Sequence, residues 1–137
     1  MIEFENETDI TIKAKEILQF EEENDLKLPE AYKKQLLKHN GGMPIDEVHI
    51  KVNGDELEFE YFYPFKEEDE ISLRERFKDD LDILPPKHLS IGAIETGSIC
   101  INLSDKKYGE ISLYYSDLEM VKVANSFENF VDQLKKS

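Results

Sequence analysis

The sequence predicts an α+β fold, in which a mainly antiparallel β-sheet packs against an N-terminal pair of helices and a C-terminal helix. Helical patterns come first along the chain, strand-like runs fill its middle, and a last segment returns to helical spacing. With 137 residues and no linker-like stretch, the chain is expected to form a single domain over residues 1–137.

The first helix is predicted to begin after Thr11, a residue type that favours the position before a helix. The residues that follow have helical spacing, so they form one stripe along the helix together with the edge of that stripe. These residues are Ala14, Ile17, Leu18 and Glu21.

The second helix is predicted to begin at Pro29, because proline loses no backbone hydrogen bond at a first helical position. Its buried stripe is predicted to contain Tyr32, Leu36 and Leu37. The sequence Asn-Gly-Gly at residues 40–42 ends the helix, since glycine accepts the left-handed conformation of a helix end. The second glycine indicates a sharp turn or the close approach of another backbone.

A β-hairpin is predicted on both sides of the dipeptide Asn53-Gly54, which is typical of two-residue turns. The predicted register puts apolar residues on the core side and opposite charges on the solvent side. Its cross-strand pairs are Val48 with Phe59, His49 with Glu58, Ile50 with Leu57, Lys51 with Glu56, and Val52 with Asp55.

The second half of the chain predicts a short helix, a meander of strands and a closing helix. Ser72 and Glu75 form a capping-box pattern before the helix, whose apolar residues are Leu73, Phe77 and Leu81. Strand-like runs follow at 89–95, 97–104 and 109–117. The closing helix is predicted to have Ser126 as its N-cap, with Phe127, Phe130, Val131 and Leu134 on its apolar face.

The net charge of −14 and the pI near 4.6 bear on which partners the protein attracts. Such a surface repels nucleic acid and anionic membranes, and it attracts basic proteins. The same charge can also serve solubility alone. No apolar stretch approaches the ~20 residues of a membrane helix, and the acidic start does not resemble a secretory signal, so a cytoplasmic location is expected.

No sequence pattern indicates catalysis, a metal or a cofactor. His39, His49 and His88 lack metal-ligand spacing, and Cys100 lies in an apolar run that predicts a packed thiol. Motifs for binding nucleotides, for serine hydrolases and for zinc proteases are missing. The protein is therefore predicted not to be an enzyme, and a hydrolase that uses one of the histidines stays as a weaker alternative.

An acidic segment with interleaved aromatic residues is the predicted partner-binding surface. Between residues 55 and 70 the chain has eight acids and a single base, Lys66. Acids of this density steer a basic protein, and aromatic residues beside them are typical of interface centres. The predicted contacts are Asp55, Glu56, Glu58, Glu60, Phe62, Glu67, Glu68 and Asp69. The alternative interpretation is a solvated surface without a partner.

The order of several short motifs resembles the Smi1/Knr4 or SUKH family over about residues 11–134. The matching positions are Phe20, Glu21, Leu28, Pro29, Tyr32, Leu36 or Leu37, Asn40, Gly41, Gly42, Ser126, Phe127 and Phe130. The strand runs around Ile99 to Leu103 and Gly109 to Tyr115 match the central pair of the family. Val131 stands where the family usually has leucine, and the approach through Gly97 and Ser98 has fewer glycines and acids than the family pattern.

This resemblance implies a non-catalytic α+β domain without a cofactor. Bacterial members are similar to immunity proteins, which bind and neutralise secreted toxins, many of them nucleases, in the cytoplasm; fungal members regulate cell-wall synthesis and signalling. We therefore expect a monomeric immunity protein with a basic toxin as its partner and no direct contact with nucleic acid or membrane. The alternative is an intracellular scaffold or regulator without a toxin.

Overall fold

The computed structural model describes residues 2–68, 70–115 and 119–136. This part of the chain contains four helices and nine strands. They are β1 (Phe4–Glu5), α1 (Ala14–Asn24), α2 (Glu30–His39), β2 (Met43–Pro44), β3 (Val48–Val52), β4 (Asp55–Phe62), α3 (Ser72–Asp80), β5 (His88–Ile94), β6 (Gly97–Asn102), β7 (Ile111–Tyr115), β8 (Glu119–Ala124), α4 (Phe127–Gln133) and β9 (Lys135–Lys136).

Among the described residues, seven strands form one sheet in the order β8-β7-β6-β5-β4-β3-β9. Every neighbouring pair in this sheet is antiparallel. β1 and β2 form a separate two-stranded sheet, which ties the N-terminal segment to the chain after α2. The predicted α+β fold with a mainly antiparallel sheet is confirmed, while β1, β2, β8 and β9 were not anticipated from the sequence.

The β3-β4 hairpin has the register that its sequence predicts. All five cross-strand pairs are present, from Val48 opposite Phe59 to Val52 opposite Asp55. The turn is made by Asn53 and Gly54, which have φ values of 51° and 89°. Both residue types tolerate this left-handed region, so the local sequence alone determines the turn.

The alternation of faces in β4 changes at a β-bulge. The register shifts between Phe59 and Tyr61, which makes Glu60 the extra residue. An extra residue reverses which side of the sheet the following side chains face. Phe62 is therefore 0% exposed, and its ring centroid lies 5.2 Å from that of Phe127. The prediction that Phe62 shares the acidic side of the hairpin is therefore wrong, and its contact with a partner stays a prediction.

Three apolar residues of the predicted helices are exposed, and one of them, Leu37, was predicted to be buried. Leu18 is 55%, Leu37 is 41% and Leu81 is 59% exposed. Leu18 and Leu37 follow directly after the buried residues Ile17 and Leu36, and successive residues of a helix point about 100° apart. Leu81 is the residue after the end of α3.

The helix starts differ from the predicted ones at three positions. Lys13, not Thr11, precedes α1, because the Glu16 carboxylate accepts a hydrogen bond from the Lys13 N–H at 3.1 Å. Pro29 occupies the extended position before α2, and Ser72 is the first helical residue of α3 without a side-chain capping bond. The predicted cap of α4 is confirmed, since the Ser126 hydroxyl accepts from the Asn129 N–H at 3.0 Å.

The hydrophobic core lies between the helices and one face of the sheet. Aromatic rings join the two layers: the Tyr32 and Phe127 centroids are 5.4 Å apart, and the Phe59 and Phe130 centroids are 5.9 Å apart. Tyr32 and Phe130 are both 0% exposed. The closing helix is therefore fixed to both α2 and the hairpin, and large aromatic surfaces are buried where they meet.

Candidate functional site

The end of α2 is tied to the chain that follows β4 through one asparagine. Asn40 is 3% exposed and adopts the left-handed conformation, with φ at 52°. Its Oδ1 accepts from the N–H groups of Phe65 and Lys66 at 2.9 and 3.0 Å, and its Nδ2 donates to the Lys66 carbonyl at 2.7 Å. One side chain thus acts as both hydrogen-bond acceptor and hydrogen-bond donor for the backbone groups of this loop, which require such partners when they are buried.

The two glycines after Asn40 allow the close approach of backbone that the sequence predicts. A Cβ atom on Gly41 would lie 2.7 Å from the Tyr63 carbonyl oxygen and 2.8 Å from that of Phe62. The Gly42 carbonyl accepts from the Phe62 N–H at 2.8 Å. Both glycines have φ above 100°, a region that other residues rarely adopt.

Most of the other residues of the family motif lie in the interior, while Pro29 and Ser126 are half-buried and Leu37 is exposed. The Glu21 carboxylate accepts from the Leu28 N–H at 2.7 Å and lies 3.3 Å from the Lys33 Nζ, which fixes the connection between α1 and α2. Leu28 is 1% and Phe127 is 4% exposed. These contacts are structural, because they join elements of the fold and lie largely out of contact with solvent.

The structure separates the acids of the predicted partner-binding surface into two groups. Asp55, Glu56 and Glu60 are exposed on the hairpin, and Glu58 is half-buried there. Glu67 and Glu68 lie beyond the other end of β4. That strand has eight residues and spans about 23 Å at 3.3 Å per residue. Asp69 lies outside the described residues.

Bases lie next to the hairpin acids. Lys51 is the cross-strand partner of Glu56, and His49 is that of Glu58. A shallow cavity beside this pair is lined by Lys51, Glu56 and also Lys135. Because opposite charges alternate on this surface, the hairpin attracts a basic partner less strongly than its acid count predicts.

The loop acids instead line a cleft of about 720 Å³ against the N-terminal segment. Four glutamates line it, namely Glu7, Glu67, Glu68 and Glu70, and Asn40 and Gly42 form part of its wall. Its apolar lining includes Ile10 and Pro64. No Lys or Arg is among the described residues that line this cleft. We call it the acidic cleft.

Glu7 and Glu70 line the acidic cleft but are not among the predicted contacts, and Glu7 lies outside the acidic segment of residues 55–70 altogether. The pKa of Glu7 is raised by partial burial and by the nearby negative charge of Glu67. Glu7 is about 60 residues from Glu67 in the sequence, and only an acid-rich stretch at the N-terminus marks it. The two segments meet because β1 pairs with β2 and so holds the N-terminal segment beside the Asn40 corner.

We expect Glu7→Gln to raise the melting temperature slightly at pH 7, on the order of 1 °C. A raised folded-state pKa means that the ionised carboxylate destabilises the fold, and this effect is complete above the raised pKa. The difference between variant and parent should vanish below the usual Glu value of 4.5, where both side chains are neutral. Melting curves at several pH values, with exposed Glu22→Gln as the control, test this; equal curves for both variants would contradict it.

The three histidines lie in separate places and have different partners. His39 Nδ1 lies 2.6 Å from the Asn6 Oδ1, and its pKa is lowered by burial and by Lys38. His88 Nδ1 lies 3.0 Å from the Pro86 carbonyl oxygen. His49 is on β3 opposite Glu58. In the part of the chain that the structure describes, no group of three or more His, Cys, Asp or Glu residues is arranged to hold a metal ion.

Cys100 is a packed thiol, as predicted, with 1% of its surface exposed. Burial raises its pKa to about 11, although the hydroxyls of Ser90 and Ser98 partly oppose this effect. We expect native protein at pH 8 to react with a disulfide reagent at least about a hundredfold more slowly than protein in urea, because reaction requires an exposed thiolate. Equal rates in the two conditions would contradict this burial.

The comparisons with known proteins identify the family. Within residues 2–68, 70–115 and 119–136, no helix is long and apolar enough to cross a membrane. A comparison with curated proteins finds no match. The family model described as SMI1 / KNR4 family (SUKH-1) matches residues 11–133, which include the Asn-Gly-Gly corner and all of α4. The chain therefore belongs to the SMI1/KNR4 family (SUKH-1).

Proposed function

We propose that this protein is a non-enzymatic immunity protein that binds and neutralises a basic protein toxin. Membership of the SUKH-1 family is consistent with this role. The observation that carries the proposal is the acidic cleft, where four carboxylates line one cavity without a Lys or Arg among its described lining residues. A net charge of −14 adds a long-range attraction for a basic partner.

The shape of the acidic cleft suits a lysine or arginine side chain. The hydrocarbon stem of such a side chain packs against apolar walls like those of Ile10 and Pro64. Its charged end then lies among the carboxylates, where charge-assisted hydrogen bonds are strong. Burial and the negative charge of Glu67 both raise the pKa of Glu7 in the free protein, and a bound cation relieves the repulsion between these two carboxylates.

A nuclease toxin fits this chemistry in particular. Surfaces that bind nucleic acid carry clustered Lys and Arg, because they neutralise phosphates. An acidic protein that covers such a surface competes with the phosphates for the same bases. The exposed hairpin acids Asp55, Glu56 and Glu60 form a second, weaker region that accelerates encounter more than it holds the complex.

The proposal is tested by isolating the partner and then changing the two acidic regions separately. The protein serves as bait in a lysate of its own host, and retained proteins are eluted in rising salt. We expect a basic polypeptide that is toxic when expressed alone and harmless when co-expressed with this protein. A set of neutral housekeeping proteins, or none, would instead favour the scaffold or regulator interpretation.

Charge-reversal variants then locate the interface on the purified complex. We expect Glu67→Lys/Glu70→Lys in the acidic cleft to weaken binding about tenfold or more and to lower the eluting salt concentration. Glu56→Lys/Glu60→Lys on the hairpin should mainly slow association. Glu22→Lys/Glu75→Lys changes the net charge equally at exposed positions outside both regions and serves as the control. Equal binding by the cleft and control variants would rule out the acidic cleft as the binding site.

A further inference from the structure

A second groove, distinct from the acidic cleft, lies between the N-terminal segment, α2 and α4. Its volume is about 610 Å³. Its lining is mainly apolar and includes Phe4, Ala31, Ile45 and Val131. The N-terminal segment borders both sites, because residues 2–4 line this groove and residues 7–10 line the acidic cleft. We call it the α2-α4 groove.

The apolar lining of the α2-α4 groove is accessible from solvent at one rim. Ile45 is 53% exposed, although its backbone N–H is fixed by a 3.0 Å hydrogen bond to the Glu3 carbonyl. Phe4 and Val131 are partly buried and pack against the core below. An exposed apolar side chain on a fixed backbone, next to a concave apolar surface, is typical of sites that bind an apolar group of a partner.

Charges around the α2-α4 groove are distributed unevenly. Glu3, Glu128 and Asp132 lie on the side of the N-terminal segment and α4, and Lys38 lies at the end of α2. Glu128 and Asp132 are one helical turn apart and both exposed. Among the described residues no base forms an ion pair with Glu3, Glu128 or Asp132. The rim therefore presents negative charge on one side and a positive charge on the other.

We propose that the α2-α4 groove docks an amphipathic segment of the partner protein, with an apolar side chain in the groove and Lys or Arg residues beside α4. This inference takes from the proposed function only that the partner is basic. Lys38 repels a base on the α2 side, so the rim fixes the orientation of the segment. A second copy of this chain is a poor occupant, because both copies have a net charge of −14.

The proposal is tested with a short synthetic peptide that has two leucines flanked by lysines. Two control peptides keep only one property each: in the first the leucines become serines, and in the second the lysines become glutamates. Each peptide is titrated into the isotope-labelled protein, and amide shifts are followed by NMR. We expect saturable shifts at Ala31, Gln35, Ile45 and Val131 only with the leucine-lysine peptide.

Variants of exposed residues separate the apolar and the charged contributions. We expect Ile45→Ser to weaken binding of the leucine-lysine peptide about tenfold, because the substitution truncates a side chain that anchors the peptide. Ile83→Ser is its matched control, since Ile83 is 57% exposed and does not line the groove. Glu3→Lys/Asp132→Lys should also weaken binding, and Lys38→Glu should strengthen it, while Lys106→Glu at an exposed turn should not.

Several outcomes would overturn the docking site. Two concern the peptides: equal binding of the leucine-lysine and serine-lysine peptides, or shifts confined to the acidic cleft. A third is an equal effect of Ile45→Ser and Ile83→Ser on binding. A fourth is a set of concentration-dependent shifts at the groove without peptide, which would make a second copy the occupant. Failure of the peptide experiment leaves the toxin-neutralisation test unaffected, because that test concerns the acidic cleft. Conversely, peptide binding without any toxin partner would establish the groove and contradict the proposed function.

Discussion

Gly41→Ala is expected to lower the free energy of unfolding by about 3–5 kcal/mol, a large part of the 5–15 kcal/mol typical of a domain. The added Cβ would lie 2.7 and 2.8 Å from the carbonyl oxygens of Tyr63 and Phe62. These are backbone atoms between β4 and the loop that Asn40 fixes, so they cannot rotate away as a flexible side chain would. The φ of +108° adds strain for any residue with a Cβ.

Gly54→Ala is the matched control for the Gly41 prediction. Gly54 also has a positive φ, at 89°, but a Cβ there would meet no atom within 4 Å. We expect the free energy of unfolding of this variant to fall by only about 1 kcal/mol, which is the conformational cost of replacing glycine at a positive φ. Urea denaturation followed by circular dichroism measures both variants. Equal losses would show that the close approach of Tyr63 and Phe62 to the corner does not determine stability.

Asn40→Ala is expected to lower the free energy of unfolding by about 4 kcal/mol, since unsatisfied buried groups cost about 1–3 kcal/mol each. The substitution removes the acceptor of the Phe65 and Lys66 N–H groups and the donor to the Lys66 carbonyl. Water reaches this site poorly, because Asn40 is 3% exposed. Alanine also tolerates the left-handed φ of 52° less well than asparagine does.

Asn40→Asp is the informative comparison for the alanine variant. The carboxylate keeps the acceptor for both N–H groups and tolerates the left-handed conformation, but it cannot donate to the Lys66 carbonyl. We expect the free energy of unfolding to fall by about half as much as in Asn40→Ala, because fewer buried backbone groups lose their hydrogen-bond partner. Amide hydrogen exchange at Phe65 and Lys66 should be faster in Asn40→Ala than in Asn40→Asp. If the parent and Asn40→Ala are equally stable, the hydrogen bonds of Asn40 do not stabilise the connection between α2 and the loop after β4.

The Asn40 corner also connects stability to the proposed function. Asn40 and Gly42 form part of the wall of the acidic cleft, and the hydrogen bonds of Asn40 fix the start of the loop that carries Glu67 and Glu68. Binding of a partner at the cleft should therefore be more sensitive to Asn40→Asp than to an equally destabilising change elsewhere. The family motif shapes the cleft, while the charges around it lie outside that motif.

Features that depend on neighbouring residues could be predicted from the amino-acid sequence. The Asn53-Gly54 turn and the alternation on either side of it specified the hairpin register, and Ser126 specified the start of α4. The glycines at 41 and 42 correctly indicated a close backbone approach. Turn conformation, side-chain alternation and helix capping act over a few residues, so a local pattern contains the information that specifies them.

The places where distant segments meet could not be predicted from the sequence and became visible in the folded chain. The bulge at Glu60 moved Phe62 into the core, and the pairing of β1 with β2 placed Glu7 beside Glu67. The acids of one continuous stretch were separated by the length of β4, while acids from the N-terminal segment and from the middle of the chain came together. These arrangements depend on packing between elements far apart in sequence, and neither helical nor strand periodicity records which elements become neighbours.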